Sequence, residues 1–448
     1  MRPAVIVCCI IFLLIAVIAA KWEKKICNPI TILLTLWSII MFLSMLQLYT
    51  LYPAKDRTYY LIIGGLVSFI IGYVFISICI FGKTRRISLN GGGINPYDGV
   101  KNHLNYKLTY IFALICIIYL LVNFGSYGIE LIKSGFSLGV VQDYLYNTDN
   151  GGNSGIFNAI GFLITNPMYI AINATTAVDF WMGKRDKKLL VCCLLILLLR
   201  IVSTGGRQSA IQFAIFMIVA YTFSLKSKKE IRDRQTQKEE RKKKKIFLIV
   251  GVLVVISLII MTMSRTKSAW KTIYLDFAMQ PYMFEYWSEK VSSTGQYGYG
   301  FASWIGFSYP CFYVVKNLLP VLSVPDFFAQ IYDLTLSVMN EWNAIGDILR
   351  ANAYVSVFWY LFYDAREVGI VIGMFLLGFF ANLSYVKTKR LPSERNICLY
   401  SLMVVLLFYT FGDLEIAKPN FALAIIYIRF VLYSQKTLIN IHTGGRRY

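Results

Sequence analysis

The chain has 448 residues, 57% of them hydrophobic and 15% charged, with a mean hydropathy of +0.57. Soluble domains carry roughly 45–50% apolar and about 25% charged residues, so a soluble enzyme, a disordered chain and a disulfide-stapled secreted domain are excluded. The net charge of +21 would suit a nucleic-acid partner if taken alone. In a chain built of long apolar runs it reports orientation across a bilayer instead, and no nucleic-acid-binding motif accompanies it.

Eleven apolar runs follow one another: 4–20, 28–48, 59–82, 107–125, 157–178, 189–203, 208–225, 246–263, 368–386, 396–411 and 420–434. Each is close to the roughly 20 residues that cross about 30 Å of hydrocarbon. The expected fold is therefore an all-α polytopic membrane protein of about 11 transmembrane helices. The count rises to 13 if the interrupted stretch 308–324 also spans together with a second loop element. The first run reads as an uncleaved reverse anchor, because Lys21, Lys24 and Lys25 follow it; a cleaved signal is the alternative.

Every second connection is basic: Lys21–Lys25, Lys83–Arg86, Lys184–Lys188, Lys226–Lys245, Lys387–Arg395 and the tail ending Arg446-Arg447. Lys and Arg accumulate on the cytoplasmic side. The alternation puts the N-terminus outside and the C-terminus in the cytoplasm. The segment 226–245 holds eleven basic and four acidic residues and reads as a solvated topology anchor that could also meet anionic lipid. Three regions result: a membrane bundle over 1–263, a large external loop over 264–367, and a second bundle with a cytoplasmic tail over 368–448.

The loop 264–367 is far longer than an ordinary helix connection. Residues 282–313 contain twelve aromatics, a composition unlike disorder. Tyr282, Trp287, Tyr299 and Trp304 could form a belt at the bilayer interface or a platform stacking on sugar rings. Pro310 and Pro320 interrupt the stretch 308–324, which reads as re-entrant or interfacial.

Arginines on the outer side are the sharpest chemical signal. Arg207 closes the turn Ser203-Thr204-Gly205-Gly206-Arg207, and Arg200 lies just inside the membrane. Positive-inside statistics disfavour both positions, and an intramembrane Arg is a functional candidate by default. Two glycines beside a helix start, with a guanidinium fork, suit a phosphate. Arg265 and Arg350 are further candidates for the same anion. External carboxylates offer bases, and spacing alone selects none of them. The nine cysteines form no CxxC pair, and the two histidines, His103 and His442, fall on the cytoplasmic side. Neither a metal-binding pattern nor a phosphate-binding loop occurs, so no cofactor is expected.

The stretch from Asn352-Ala353-Tyr354 through Asp364 to Gly369 resembles the carboxyl-side segment of the O-antigen polymerases, the oligosaccharide repeat unit polymerases of bacterial polysaccharide synthesis. There an Asn-x-Tyr run leads to Asp-Phe-Gly-x-x-Gly and a span; here Ala365-Arg366 stands for the Phe-Gly. The Arg207 turn and the Tyr297-Gly298-Tyr299-Gly300 run are similar to two other motifs of that family. The resemblance implies a glycosyltransferase of the bacterial cytoplasmic membrane. Its substrate would be an oligosaccharide on undecaprenyl diphosphate, with a flippase and a chain-length regulator as possible partners. It further implies diphosphate contacts from Arg207, Arg200, Arg265 and Arg350, a base among Asp276, Glu285 and Asp364, and sugar contacts from the four aromatics above with Asn352 and Tyr354. The alternatives are an O-antigen ligase-like transferase, disfavoured because no histidine lies in the loop, and a lipid-linked oligosaccharide flippase or transporter, disfavoured because no internal repeat is visible.

Overall fold

A computed structural model describes residues 3–89, 100–133, 155–225, 269–318 and 325–437, apart from 24, 26, 205, 206 and 353, together with short stretches between 237 and 251. Fifteen α-helices are described: α1 (Pro3–Glu23), α2 (Pro29–Leu46), α3 (Asp56–Leu89), α4 (Tyr106–Lys133), α5 (Gly155–Ile160), α6 (Asn166–Met182), α7 (Lys187–Thr204), α8 (Gln208–Ser224), α9 (Ala269–Ala278), α10 (Gln280–Thr294), α11 (Phe301–Leu318), α12 (Asp326–Asn340), α13 (Ser356–Arg390), α14 (Glu394–Tyr409) and α15 (Pro419–Ile426). Two small antiparallel ribbons, unexpected from the sequence, join β1 (Val100–Leu104) to β4 (Tyr433–Thr437) and β2 (Asn343–Ala344) to β3 (Arg350–Ala351).

The helices start where local chemistry lets them. Asn28 accepts from Thr31 N at 2.8 Å, with Pro29 in the first turn, so α2 begins with an orphan donor satisfied. Ser393 caps α14 in the same way. Among the described residues four helices are long and apolar enough to cross a membrane: α1, α2, α3 over Asp56–Cys79, and α13. Shorter apolar helices cover Tyr106–Val122, Gln208–Ser224, Phe301–Val315 and Pro419–Leu432. The run 157–178 falls on α5, the π-helical turn Gly161–Thr165 and α6, and the runs 189–203 and 396–411 fall on α7 and α14, helices that are shorter or carry more charge. The run 246–263 lies almost wholly outside the described residues. The architecture is that of an all-α membrane protein.

Two contacts organise the bundle. Helix α6 is its centre: fourteen of its 17 residues are buried, and α7, α8, α14 and α15 pack around it. The long pair α3 and α13 meets backbone to backbone. A Cβ built on Gly72 would come 2.1 Å from Phe375 O, and one on Gly378 would come 2.1 Å from Phe69 O. Small residues that let helices approach are the usual device where apolar burial cannot drive association. Polar links secure the same seam: Ser68 Oγ donates to Val371 O at 2.6 Å, and Asn382 Nδ2 donates to Tyr73 O at 2.6 Å and to Ser77 Oγ at 2.8 Å.

The region 264–367 is largely helical, carrying α9 to α12 and the first turns of α13. Pro310 sits inside α11 without ending it, whereas the sequence suggested an interruption. The loop aromatics divide into two sets. Phe284 and Trp287 are buried against Phe358, Phe362 and Trp359. Tyr297, Tyr299 and Trp304 are exposed.

Candidate functional site

Three segments remote in sequence converge near the α7–α8 turn. Arg207 precedes α8, and its guanidinium pairs with the Asp276 carboxylate on α9. Tyr354 OH donates to the other carboxylate oxygen at 3.2 Å. Both members of the ion pair are about 20% exposed, so the cluster is shielded yet reachable. Burial, reinforced by the Asp276 carboxylate, holds the Tyr354 phenol well above its usual range. It therefore keeps its proton at neutral pH and donates a hydrogen bond, with Asp276 the acceptor of the trio. Gln280 Nε2 donates to Asp276 O at 2.6 Å and steadies the end of α9.

A second polar group adjoins the first through Gln208. Its amide donates to Glu415 Oε1 at 2.8 Å. Lys418 lies 2.9 Å from Glu415 Oε1 and 2.7 Å from Asp413 Oδ2, and Tyr360 OH donates to Asp413 Oδ1 at 2.8 Å. Glu415 and Asp413 are 1% and 4% exposed. Burial works against the Lys418 charge, but the two carboxylates hold its ammonium above the ordinary lysine range. Sequence reasoning missed these residues. The signal was the short segment 412–419 (GDLEIAKP), which sets Asp, Glu and Lys between two apolar runs.

The remaining anion candidates are arranged differently. Arg200 lies over the Tyr169 ring at 4.8 Å, and its Nε is buried without a hydrogen-bond partner. Tyr169 interacts electrostatically with Tyr409, whose hydroxyl donates to Gln208 O at 3.3 Å, so Arg200 borders the cluster from inside the bundle. Arg350 stands exposed on β3. Arg265 lies outside the described residues, as do Gly205 and Gly206.

Two of the three candidate bases have other duties. Glu285 accepts from Lys55 N and from Thr58 Oγ1 and so caps the start of α3. Asp364 is 6% exposed; it accepts from Ala302 N at 2.9 Å, from Ser303 N at 3.1 Å and from Ser303 Oγ. It thereby caps α11 while α13 breaks just after it, at Ala365 and Arg366. The Tyr297–Gly300 run wraps this break: Gly298 N donates to Tyr363 O at 2.9 Å and Tyr299 N to Asp364 O at 3.1 Å. A Cβ on Gly298 would meet Asp364 Oδ1 at 2.4 Å, so only glycine fits there. Arg366 adopts φ 54° and ψ −139°, in the region that favours glycine. Its guanidinium stacks on Tyr297 at 4.4 Å and donates to Gln296 O at 2.6 Å and to Val291 O at 3.3 Å.

Of the sugar-platform aromatics, Tyr299 and Trp304 are 71% and 50% exposed, with Tyr299 inclined against Tyr297 and Phe327 and Trp304 against Phe307. Tyr282 is half-buried, edge-on to Tyr52 at 5.6 Å. Trp287 is fully buried in the core and has no face to offer; its expected contact with sugar gives way to packing. Asn352 is half-buried two residues before Tyr354. No protein-family model, no curated protein and no solved structure matches the chain.

Proposed function

We propose that the protein is a polymerase of lipid-linked oligosaccharide repeat units, embedded in the bacterial cytoplasmic membrane through about eleven spans, with the Arg207 cluster on its outer face. The observation that carries this reading is the union of Arg207, Asp276 and Tyr354 in one partly shielded site. Arg207 and Tyr354 belong to segments that resemble polymerase motifs, and Asp276 is the carboxylate that joins them.

In this reading Asp276 takes the proton of an acceptor sugar hydroxyl, which attacks the anomeric carbon of the growing chain. The bond from that carbon to the diphosphate oxygen breaks, and undecaprenyl diphosphate leaves with both bonding electrons. Arg207, with Arg200 beside it, stabilises the charge on the departing oxygens. Tyr354 orients the base. Tyr299 and Trp304 supply stacking faces for the glycan. A flippase would deliver the substrate and a chain-length regulator would set how often transfer repeats.

The test is glycan ladder analysis in a strain that carries the protein as its sole polymerase. Arg207→Ala and Asp276→Asn should each collapse the ladder to single repeat units while the folded protein stays at normal abundance. Normal chain length in well-expressed variants would remove both residues from the mechanism. Repeat units stranded on the cytoplasmic side of a deletion strain would replace this reading with lipid flipping.

A further inference from the structure

The face of the bundle opposite the Arg207 cluster carries a second concentration of charge that the proposed chemistry leaves unused. Helix α13 runs from its break at Ala365–Arg366 to Arg390, and α14 returns from Glu394. Lys387, Arg395 and Arg429 gather where these ends meet the π-helical turn Tyr427–Leu432. Arg429 and Arg395 both repel the Lys387 ammonium, and Arg429 repels Arg395. None of the three has an acidic partner among the described residues. Neighbouring Glu394 faces Asp179 and Lys184 instead, and Lys389 pairs with Glu23.

Arg395 is only 7% exposed and its Nε has no hydrogen-bond partner; Nη1 of Arg429 has none either. Buried donors are almost always satisfied, and a buried cation without a counter-charge is costly. Three mutually repelling cations with open donors, two of them on planar guanidinium groups, suit a phosphate.

An apolar groove of about 420 Å³ leads away from this cluster between α13 and α14. Lys387 and Asn396 line its polar end, and Trp304 lines the other. Leu376, Phe380 and Leu383 line it and are also exposed on the outer surface, so it opens sideways toward hydrocarbon. From Gly373 to Lys387 it follows α13 for roughly 21 Å at 1.5 Å per residue, more than the ~15 Å depth of one leaflet's hydrocarbon.

We propose that this is a binding site for an anionic phospholipid, its phosphate held by Lys387, Arg395 and Arg429 and one acyl chain lying in the groove. A neutral lipid would fill the groove and leave the cations unpaired. A free phosphate would pair the cations and leave the groove empty. The basic-loop alternation places the site in the cytoplasmic leaflet, where anionic lipids draw basic side chains. The phosphate cluster is separate from the glycan chemistry, and only Trp304, at the far end of the groove, belongs to both proposals.

The full-length protein is reconstituted in nanodiscs of phosphatidylglycerol mixed equally with phosphatidylcholine of the same chains, then released and examined by native mass spectrometry. The wild type should retain phosphatidylglycerol in preference. Lys387→Gln should lower that preference about fivefold, the equivalent of the ~1 kcal/mol that one basic side chain contributes at an anionic surface. Lys387→Gln combined with Arg395→Gln should bring the two lipids to parity. Lys387 is exposed and its replacement spares the packing, so the single variant decides the matter even if the double one misfolds. Equal retention of both lipids by the wild type, or an undiminished preference in Lys387→Gln, overturns the proposal. So does complete displacement of phosphatidylglycerol by millimolar inorganic phosphate, which would mark a site for the free anion.

Discussion

Replacing Asp364 by Asn separates its structural duty from a catalytic one. The carboxylate receives two backbone N–H groups, from Ala302 and Ser303, and the Ser303 hydroxyl. Asparagine keeps one acceptor oxygen and turns an NH₂ donor toward the remaining N–H. Hydrogen bonds to a charged group contribute about 1.5–3 kcal/mol each. With the amide oxygen in the place of Oδ2 the two Ser303 bonds remain but lose their charge, and the Ala302 bond is lost, so the cap should lose about 3 kcal/mol, roughly a hundredfold in the local opening equilibrium. Hydrogen exchange read by mass spectrometry should show the Ala302 and Ser303 amides losing protection by that factor. Amides at the centre of α6 should be unaffected. Under the proposed function, polymer synthesis should fall only as far as folded protein falls, with the shape of its pH profile retained. Unchanged protection at 302 and 303, together with lost synthesis, would refute the cap and return Asp364 to the chemistry.

Other outcomes follow from single contacts. Arg366→Gly removes the strain of a positive φ, which costs of order 1–3 kcal/mol, as well as the guanidinium contacts; Arg366→Ala loses the contacts and keeps the strain. Thermal unfolding in detergent should therefore rank Gly above Ala, and the reverse order would show that the backbone there is relaxed. Lys418→Met leaves Asp413 and Glu415 buried without their cation and should destabilise by about 3–5 kcal/mol; adding Glu415→Gln should recover part of the loss, and additive losses would show that the groups are uncoupled. Gly378→Ala should lower the yield of folded protein because its Cβ would collide with Phe69 O, while Gly64→Ala, where a Cβ meets nothing within 4 Å, should be tolerated; equal yields would mean that the α3–α13 seam yields easily.

The sequence exposed the long apolar helices because length and composition suffice to define them. It was silent about the β1–β4 ribbon, whose pairing joins residues more than 300 positions apart, and about the local β2–β3 pair. Arg207 was legible because a cation in a short outer turn conflicts with topology statistics. Its tie to Asp276 was not legible, since spacing selected no outer carboxylate, the resemblance left Asp276, Glu285 and Asp364, and only the placement of α9 chooses among them. Trp287 and Trp304 looked alike as loop aromatics; burial in the first and exposure in the second depend on which side of a helix meets α13. The Asp413–Glu415–Lys418 group stands in the segment 412–419, but its pairing depends on Gln208 and Tyr360 from remote helices, which spacing does not reveal. Arg366 stands where the resembled pattern has glycine, and its backbone angles explain why glycine would suit that position.

The Gly72–Gly378 contact also limits where this molecule can move. At Gly72 and Gly378 the backbones of α3 and α13 touch, so a shift of either helix by one residue would drive a side chain into the opposing carbonyl. The two helices act as a strut of fixed length. At one end the strut carries the Asp364 break that holds the loop helices, and at the other the Lys387 cluster. Rearrangement is therefore directed to the parts hung on this strut, chiefly α9 to α12, while the distance between its two ends stays constant.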